Sequence, residues 1–260
     1  MTDHAPTTAL LDRFVNDITP LVPLTSVWAH GSLAGGDYRP GRSDLDLIAV
    51  LDRHCLPEEE RRLAQAHERL GQDVPLAAKL HCSYAAVAEL PDSARSHLTW
   101  AHEELMHRPI TPVTRRELHD FGLVLYGAPP AAVLPPLADG ELAAFVVRDM
   151  KEFWRPSLEP RERWLRDIWV DAGMLVLARA TVTLRDGRLI TKGEALTVLR
   201  EMRAPAEVVD DIERRRYGSP APATEQWLAL RAELTLAFLT AGIDGLVAAH
   251  SAASPSESAP

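Results

Sequence analysis

The sequence predicts an α+β protein, with strands and helices together in the first half of the chain and helices alone in the second. Three observations predict it. Apolar stretches at 25–29, 47–51 and 74–84 have strand length and alternate with segments of helical pattern. Four prolines, Pro129, Pro130, Pro135 and Pro136, mark an extended connection near the middle of the chain. Beyond them the apolar residues recur at helical spacing. At 260 residues with 46% hydrophobic composition the chain can bury two modest cores. The expected organisation is a domain over 1–130, a helical domain over 131–250 and a disordered tail over 251–260, where SAASPSESAP is too small and polar to pack.

Taken in order, Leu10, Leu11, Phe14, Val15 and Ile18 give 5–20 the i, i+3, i+4 stripe of an amphipathic helix. Residues 57–70, PEEERRLAQAHERL, open with acids and predict a helix with a favourable dipole. Residues 74–84, VPLAAKLHCSY, predict a strand. Thr114 with Glu117 makes a capping box for a helix over 114–125. Helices are expected at 140–154, 162–184, 191–201, 205–216 and 224–249, the third capped by Thr191 and Glu194.

The chemistry concentrates between Ala29 and Leu51. Asp44 and Asp46 stand two apart ahead of the apolar run Leu47 to Leu51, so on a strand they share one face. Their Cα atoms would lie roughly 6.5–7 Å apart, and two such carboxylates are best tolerated with a cation between them. Mg²⁺ takes one or two carboxylates together with substrate phosphates. Gly31 and Ser32, thirteen residues before Asp44, supply a backbone without a Cβ, a hydroxyl and free N–H groups that can hold phosphate. The combination points to a metal-bound nucleotide; a surface turn with an aspartate cap is the alternative reading.

Gly31-Ser32, a short spacer and Asp44-Leu45-Asp46 resemble the signature of the DNA polymerase beta type nucleotidyltransferase superfamily. That resemblance implies a small mixed sheet with helices. It also implies attack of an acceptor hydroxyl on the α-phosphate of a nucleoside triphosphate, pyrophosphate leaving and Mg²⁺ bridging. Such enzymes usually carry a third carboxylate on a later strand. Here that position falls on His81, which reads either as the proton acceptor or as a structural strand histidine. Glu103 and Glu104 are rival carboxylates. Trp100 reads as a stacking platform for substrate or as a half-buried core residue. Arg42 lies inside the motif and is a further phosphate candidate.

Two basic residues farther on are unusually placed. Trp164, Ile168, Ala172, Leu175 and Val176 form a stripe expected to be buried, and Arg179 falls on it. Lys192 opens a helix, against the dipole. Both read as phosphate ligands, the alternatives being a structural salt bridge and an exposed lysine. The blocks LVLYGAPP, LVLARATVTLRDGRLITKGEAL and RRRYG resemble the C-terminal domain of bacterial aminoglycoside adenylyltransferases of the streptomycin/spectinomycin type. The likeness implies that Arg179 and Lys192 contact ATP phosphates and that acids on the preceding helix bind the cationic drug. Asp167 and Asp171 are the nearest matches; pairing with Arg163 or Arg166 is the alternative. Tyr217 is a candidate near the nucleotide.

The net charge of −9 argues against an enzyme that tracks nucleic-acid phosphates and suits a cationic small molecule. With only Cys55 and Cys82, neither a disulfide framework nor a zinc site is expected. The N-terminus has no signal pattern and no uninterrupted apolar run approaches the roughly 18 residues of a span, so a cytoplasmic protein with no membrane partner is expected. The expectation as a whole is transfer of AMP from ATP to an aminoglycoside hydroxyl, an antibiotic-resistance chemistry. A protein side chain or another metabolite is the alternative acceptor. A nucleotide-binding regulator without turnover is the alternative class.

Overall fold

The computed structural model describes residues 5–219 and 222–251, so all but the first residue of the tail expected over 251–260 lies outside the described residues. The chain divides into two compact units, Met1–Ala138 and Asp139–Pro260.

The first unit follows the order α1 (Ala5–Ile18), β1 (Leu24–Ala29), α2 (Gly31–Ala34), β2 (Leu45–Leu51), α3 (Pro57–Asp73) and β3 (Leu80–Ala86). It continues with β4 (Ser96–Ala101), β5 (Glu104–Pro109), α4 (Pro112–Phe121), β6 (Leu123–Gly127) and α5 (Pro130–Val133). The strands form one six-stranded sheet in the order β5-β4-β3-β2-β1-β6. Only β2 and β3 run parallel, so the sheet is mixed. A parallel pair needs a crossover, and α3 provides it.

Period-2 alternation divides β2 between two cores. Leu45, Leu47, Ala49 and Leu51 pack with Leu10, Phe14 and Ile18 of α1 and with Leu63 and Leu70 of α3. Ile48 and Val50 face the other way, against Trp28, Ile110, Leu118 and Leu134. Asp46 belongs by parity to this second face, at the end of β2 where the apolar packing stops. Leu134, 1% exposed, joins this core, which keeps the proline-rich segment with the first unit; the division falls at 138/139, beyond the 130/131 join read from the prolines.

Two local expectations change, and one segment without an expectation gains a structure. The segment 74–84 is not one strand: Pro75 opens a 3₁₀ turn, Pro75–Lys79, and the strand starts at Leu80. The segment 96–109 is a hairpin, β4 to β5, turning at His102 and Glu103 with φ of 54° and 63°. Thr114 is not a helix cap. Thr111 is, accepting from the Thr114 N–H at 3.2 Å, with Pro112 as the first helical residue. That helix ends at Phe121, and LVLYG, read from the sequence as partly helical, pairs with β1 as an edge strand.

The second unit is helical: α6 (Glu141–Asp149), α7 (Asp167–Asp186), α8 (Lys192–Glu201), α9 (Ala206–Tyr217) and α10 (Glu225–Ser251). Thr191 and Glu194 cap α8 reciprocally, as their spacing predicts. α7 and α10 pack closely at Gly173, where a Cβ would lie 2.7 Å from Trp164 and 2.9 Å from Leu239. The expected stripe on α7 holds in part: Trp164 and Leu175 are buried, but Trp164 precedes the helix and Ile168 is 64% exposed. The buried face instead runs through Val170, Met174, Leu177 and Ala178. α10 is long and apolar enough to cross a membrane by length and composition, which a count of uninterrupted apolar residues misses. Its Arg231 is fully buried and ion-paired to Asp211 and Asp167 within the unit.

Candidate active site

The site starts where β1 hands the chain to α2. The His30 N–H donates to the Asp46 carbonyl at 2.9 Å, tying the turn to β2. Gly31 then adopts φ of 63° and lies so close to Asp46 that a Cβ would sit 2.7 Å from its Oδ2. Any side chain there would both strain the backbone and strike the carboxylate. Ser32 follows in the first turn of α2. Arg42 lies on the exposed loop before β2, its N–H donating to the Arg39 carbonyl.

Asp44 and Asp46 are both half-exposed, with side chains 43% and 35% accessible. Asp44 lies 3.7 Å from Lys79 Nζ, and Asp46 lies 3.6 Å from His81 Nδ1. The second approach is set by register, since Asp46 and His81 are partners across the parallel β2–β3 pair. His81 itself is only 13% exposed, its ring set edge-on to His102 at 4.8 Å. A cleft of about 150 Å³ opens beside Asp46, lined by His30, His81, Ser83, Thr99 and Arg108 among others. Two hard oxygen donors on one half-open face fit Mg²⁺, which keeps waters and substrate oxygens in its shell. Among the described residues no group of three His, Cys, Asp or Glu is arranged to hold a metal, so the pair would complete its shell from ligand and solvent.

One site residue escapes a sequence reading. Glu117, only 7% exposed, does not cap its helix; its carboxylate meets His30 Nδ1 at 2.9 Å. The available signal was Thr111-Pro112, a better helix start than Thr114, which would have freed Glu117 for another role. Trp100 needs the opposite correction. It pairs across the sheet with Cys82, on the α1–α3 face, and stacks on buried His67 at 4.7 Å and 10°. The sheet separates it from Asp46, so it is a core residue and not a platform at this site. Glu103, at the hairpin tip, lines a different cleft with His67 and Trp100, and Glu104 opens the outermost strand.

With this geometry in place, comparison with known proteins is specific for the first unit. Residues 11–100 match the family model of the nucleotidyltransferase domain. That match spans 90 of the 260 residues, all within the first unit. Among solved structures, spectinomycin adenyltransferase AAD(9) from Enterococcus faecialis, crystallised with ATP and spectinomycin, is similar in fold. The TM-score is 0.60 at 14% identity, over 90% of this chain and 96% of that one. No curated protein matches the sequence. The motif Gly31-Ser32 and Asp44-x-Asp46 falls within the nucleotidyltransferase match, as does His81.

The remaining candidates lie in the second unit, outside the matched nucleotidyltransferase domain. Arg179 is half-buried and donates from Nε to the Ile190 carbonyl at 3.0 Å; Lys192 is exposed at the start of α8. Tyr217 closes α9, its hydroxyl accepting from Arg216 Nε at 3.1 Å. Asp167 and Asp171 pair with neither Arg163 nor Arg166 as the sequence alternative had it. Asp171 accepts from Arg215, Asp167 from Arg231 at 2.6 Å, and Asp211 from both arginines. Burial raises the pKa of Asp171 despite its arginine. Burial also opposes ionisation of Asp211, but there Arg215 and Arg231 outweigh it and the pKa falls.

Proposed function

We propose that the protein transfers AMP from ATP to a hydroxyl of an aminoglycoside-like small molecule, releasing pyrophosphate. The observation that carries the reading is the Gly31 turn laid against Asp46, two residues from Asp44, within the nucleotidyltransferase match. The choice of ATP and of a cationic drug rests on the similar fold of a protein crystallised with ATP and spectinomycin, and on the acidic surface of this chain.

In this reading Asp44 and Asp46 hold Mg²⁺. Bound there, the ion would neutralise charge building on the α-phosphate and the leaving oxygen. Ser32 and the backbone N–H groups after Gly31 hold phosphate oxygens. His81, beside Asp46 and on the same sheet face, accepts the hydroxyl proton. Arg42 is the proposed further nucleotide ligand of the first unit, and Arg179, Lys192 and Tyr217 are the proposed nucleotide ligands of the second. Asp167 and Asp171 contribute to drug binding only if they exchange their arginine partners for the ligand. The proposed location is the cytoplasm, where ATP is available.

The test is to mix the protein with MgATP and a panel containing spectinomycin and streptomycin. Pyrophosphate release and a mass gain of one AMP on a drug are expected. Pyrophosphate with no modified drug would move the reading to another acceptor. Nucleotide binding without turnover would favour the regulator, the reading that a histidine at position 81 motivates.

A further inference from the structure

We infer that His30 contacts substrate in the cleft and that Glu117 is its positioning residue, holding the imidazole so that Nε2 offers a lone pair to a substrate hydroxyl. The inference rests on the nucleotidyltransferase reading given above and goes beyond it, assigning a role to a pair of side chains that reading does not use.

His30 is the last residue before the Gly31-Ser32 turn, and its backbone is extended, with φ of −136° and ψ of −158°. The alternation of β1 therefore continues through it. Val27 and Ala29 pack in the α1–α3 core and Trp28 in the other, so His30 falls on the Trp28 face, which is also the face of Asp46. Its N–H is bonded to the Asp46 carbonyl at 2.9 Å, and its ring lines the cleft beside Asp46.

Helix α4 holds that ring. Glu117, 7% exposed, meets His30 Nδ1 with Oε2 at 2.9 Å. One turn later on the same side of α4, Phe121 packs at the end of α2, its ring 3.5 Å from where a Cβ would stand at Gly35. α4 thus backs the turn at both ends. A carboxylate has only acceptors, so Nδ1 is the nitrogen that carries hydrogen and donates to Glu117. The bond made by one imidazole nitrogen decides the state of the other: the neutral ring keeps its lone pair on Nε2. The two nitrogens point in divergent directions, so with Nδ1 turned to buried Glu117 the Nε2 edge is left for the cleft. A lone pair receives an O–H and repels a phosphate oxygen. Ser83, Thr99 and Thr114 add hydroxyls to the same lining, which suits a polyhydroxylated group. Two such groups belong to the proposed reaction, the ribose of ATP and the acceptor.

The experiment uses full-length protein with ¹⁵N-labelled histidine, its His30 signals assigned through the backbone, at a pH where free imidazole is neutral. Hydrogen on Nδ1 and none on Nε2 is expected in the wild type, and a mixture of tautomers in Glu117→Leu. Calorimetry then separates the two hydroxyl sources. If ribose is the partner, the wild type binds MgATP about three- to tenfold more tightly than its 2′-deoxy or its 3′-deoxy analogue, and His30→Phe loses that preference. If the acceptor is the partner, the three nucleotides bind alike, and His30→Phe and Glu117→Leu weaken spectinomycin or streptomycin by a similar factor in the presence of α,β-methylene-ATP. Hydrogen on Nε2 in the wild type would overturn the inference, as would equal affinity for the three nucleotides with no change on the drug side. A wild type that binds no MgATP would instead sink the nucleotidyltransferase reading itself. Thermal melts show which variants are folded, and the tautomer and the nucleotide comparison in the wild type need no variant.

Discussion

Asp44 and Asp46 in the first unit and Asp167, Asp171 and Asp211 in the second are both clusters of carboxylates near cations, yet they are built in opposite ways. In the second unit Arg231 is fully buried and Arg215 12% exposed, and their guanidinium donors bond all three acids, the half-exposed Asp167 included. In the first unit the acids are half-exposed, Asp44 lying 3.7 Å from a lysine and Asp46 3.6 Å from a histidine, both longer than a hydrogen bond. Guanidinium forks consume carboxylate lone pairs in a way that these longer approaches do not. The number of acids says little about function beside how completely they are answered.

The largest expected effect tests the open cluster. In the proposed reaction Asp46→Ala removes a metal ligand worth several kcal/mol at the transition state, so pyrophosphate release should drop at least about a thousandfold while the melting temperature holds. Activity that survives would erase the contrast. The second cluster should respond in stability: Arg231→Met removes a buried partner from Asp167 and Asp211, leaving Asp211 with Arg215, and should cost about 1.5–3 kcal/mol in a denaturant titration. If the variant unfolds no more easily than wild type, the second cluster is not held together as its geometry indicates.

The same division runs between the faces of the sheet. Trp100, stacked on His67, should lose about 2 kcal/mol of stability on Trp100→Leu, with nucleotide affinity by calorimetry unchanged; a weakened affinity would return it to the site. His67 is pushed by burial down to about 3 from 6.5, accepting or donating only within its contact to Tyr84. With the folded pKa depressed, its neutral form contributes stability above pH 6.5, and that contribution is lost as pH falls from 6.5 toward 3. The slope from this one group approaches about 1.4 kcal/mol per pH unit. Urea titrations of wild type and His67→Phe across this range should diverge in slope, and parallel lines would refute the assignment.

What could be read in the sequence follows the range over which each interaction acts. Gly31, Ser32, Asp44 and Asp46 are close in the chain, and strand parity alone places the two acids together. The Thr191–Glu194 cap is equally local. The β4–β5 hairpin was hidden because its turn, His102-Glu103, uses left-handed residues that carry none of the usual Gly or Asn signals. Glu117 was hidden because its partner, His30, lies 87 residues away, and nothing in a helix pattern announces a long-range contact. The phase of α7 was misjudged because Trp164, which anchored the expected stripe, lies outside the helix.

The pairing of β1 with β6 has a consequence for how the chain is made. β1 carries the residues that deliver Gly31 to Asp46, and it has neighbours on both sides: β2 soon after it in the chain, and β6, whose Gly127 pairs with Ser26. The Trp28 indole N–H reaches the Ala128 carbonyl across 100 residues of sequence. A growing chain can therefore assemble β1, β2 and β3 early but must leave one edge of β1 open until residue 128 has left the ribosome. Closing a loop of that length is entropically slow, and an unpaired strand edge is a template for association with other chains. The first unit thus has a window during synthesis in which its central turn is formed and its sheet unfinished, and the exposed border of β1 is the place where a chaperone would be most useful.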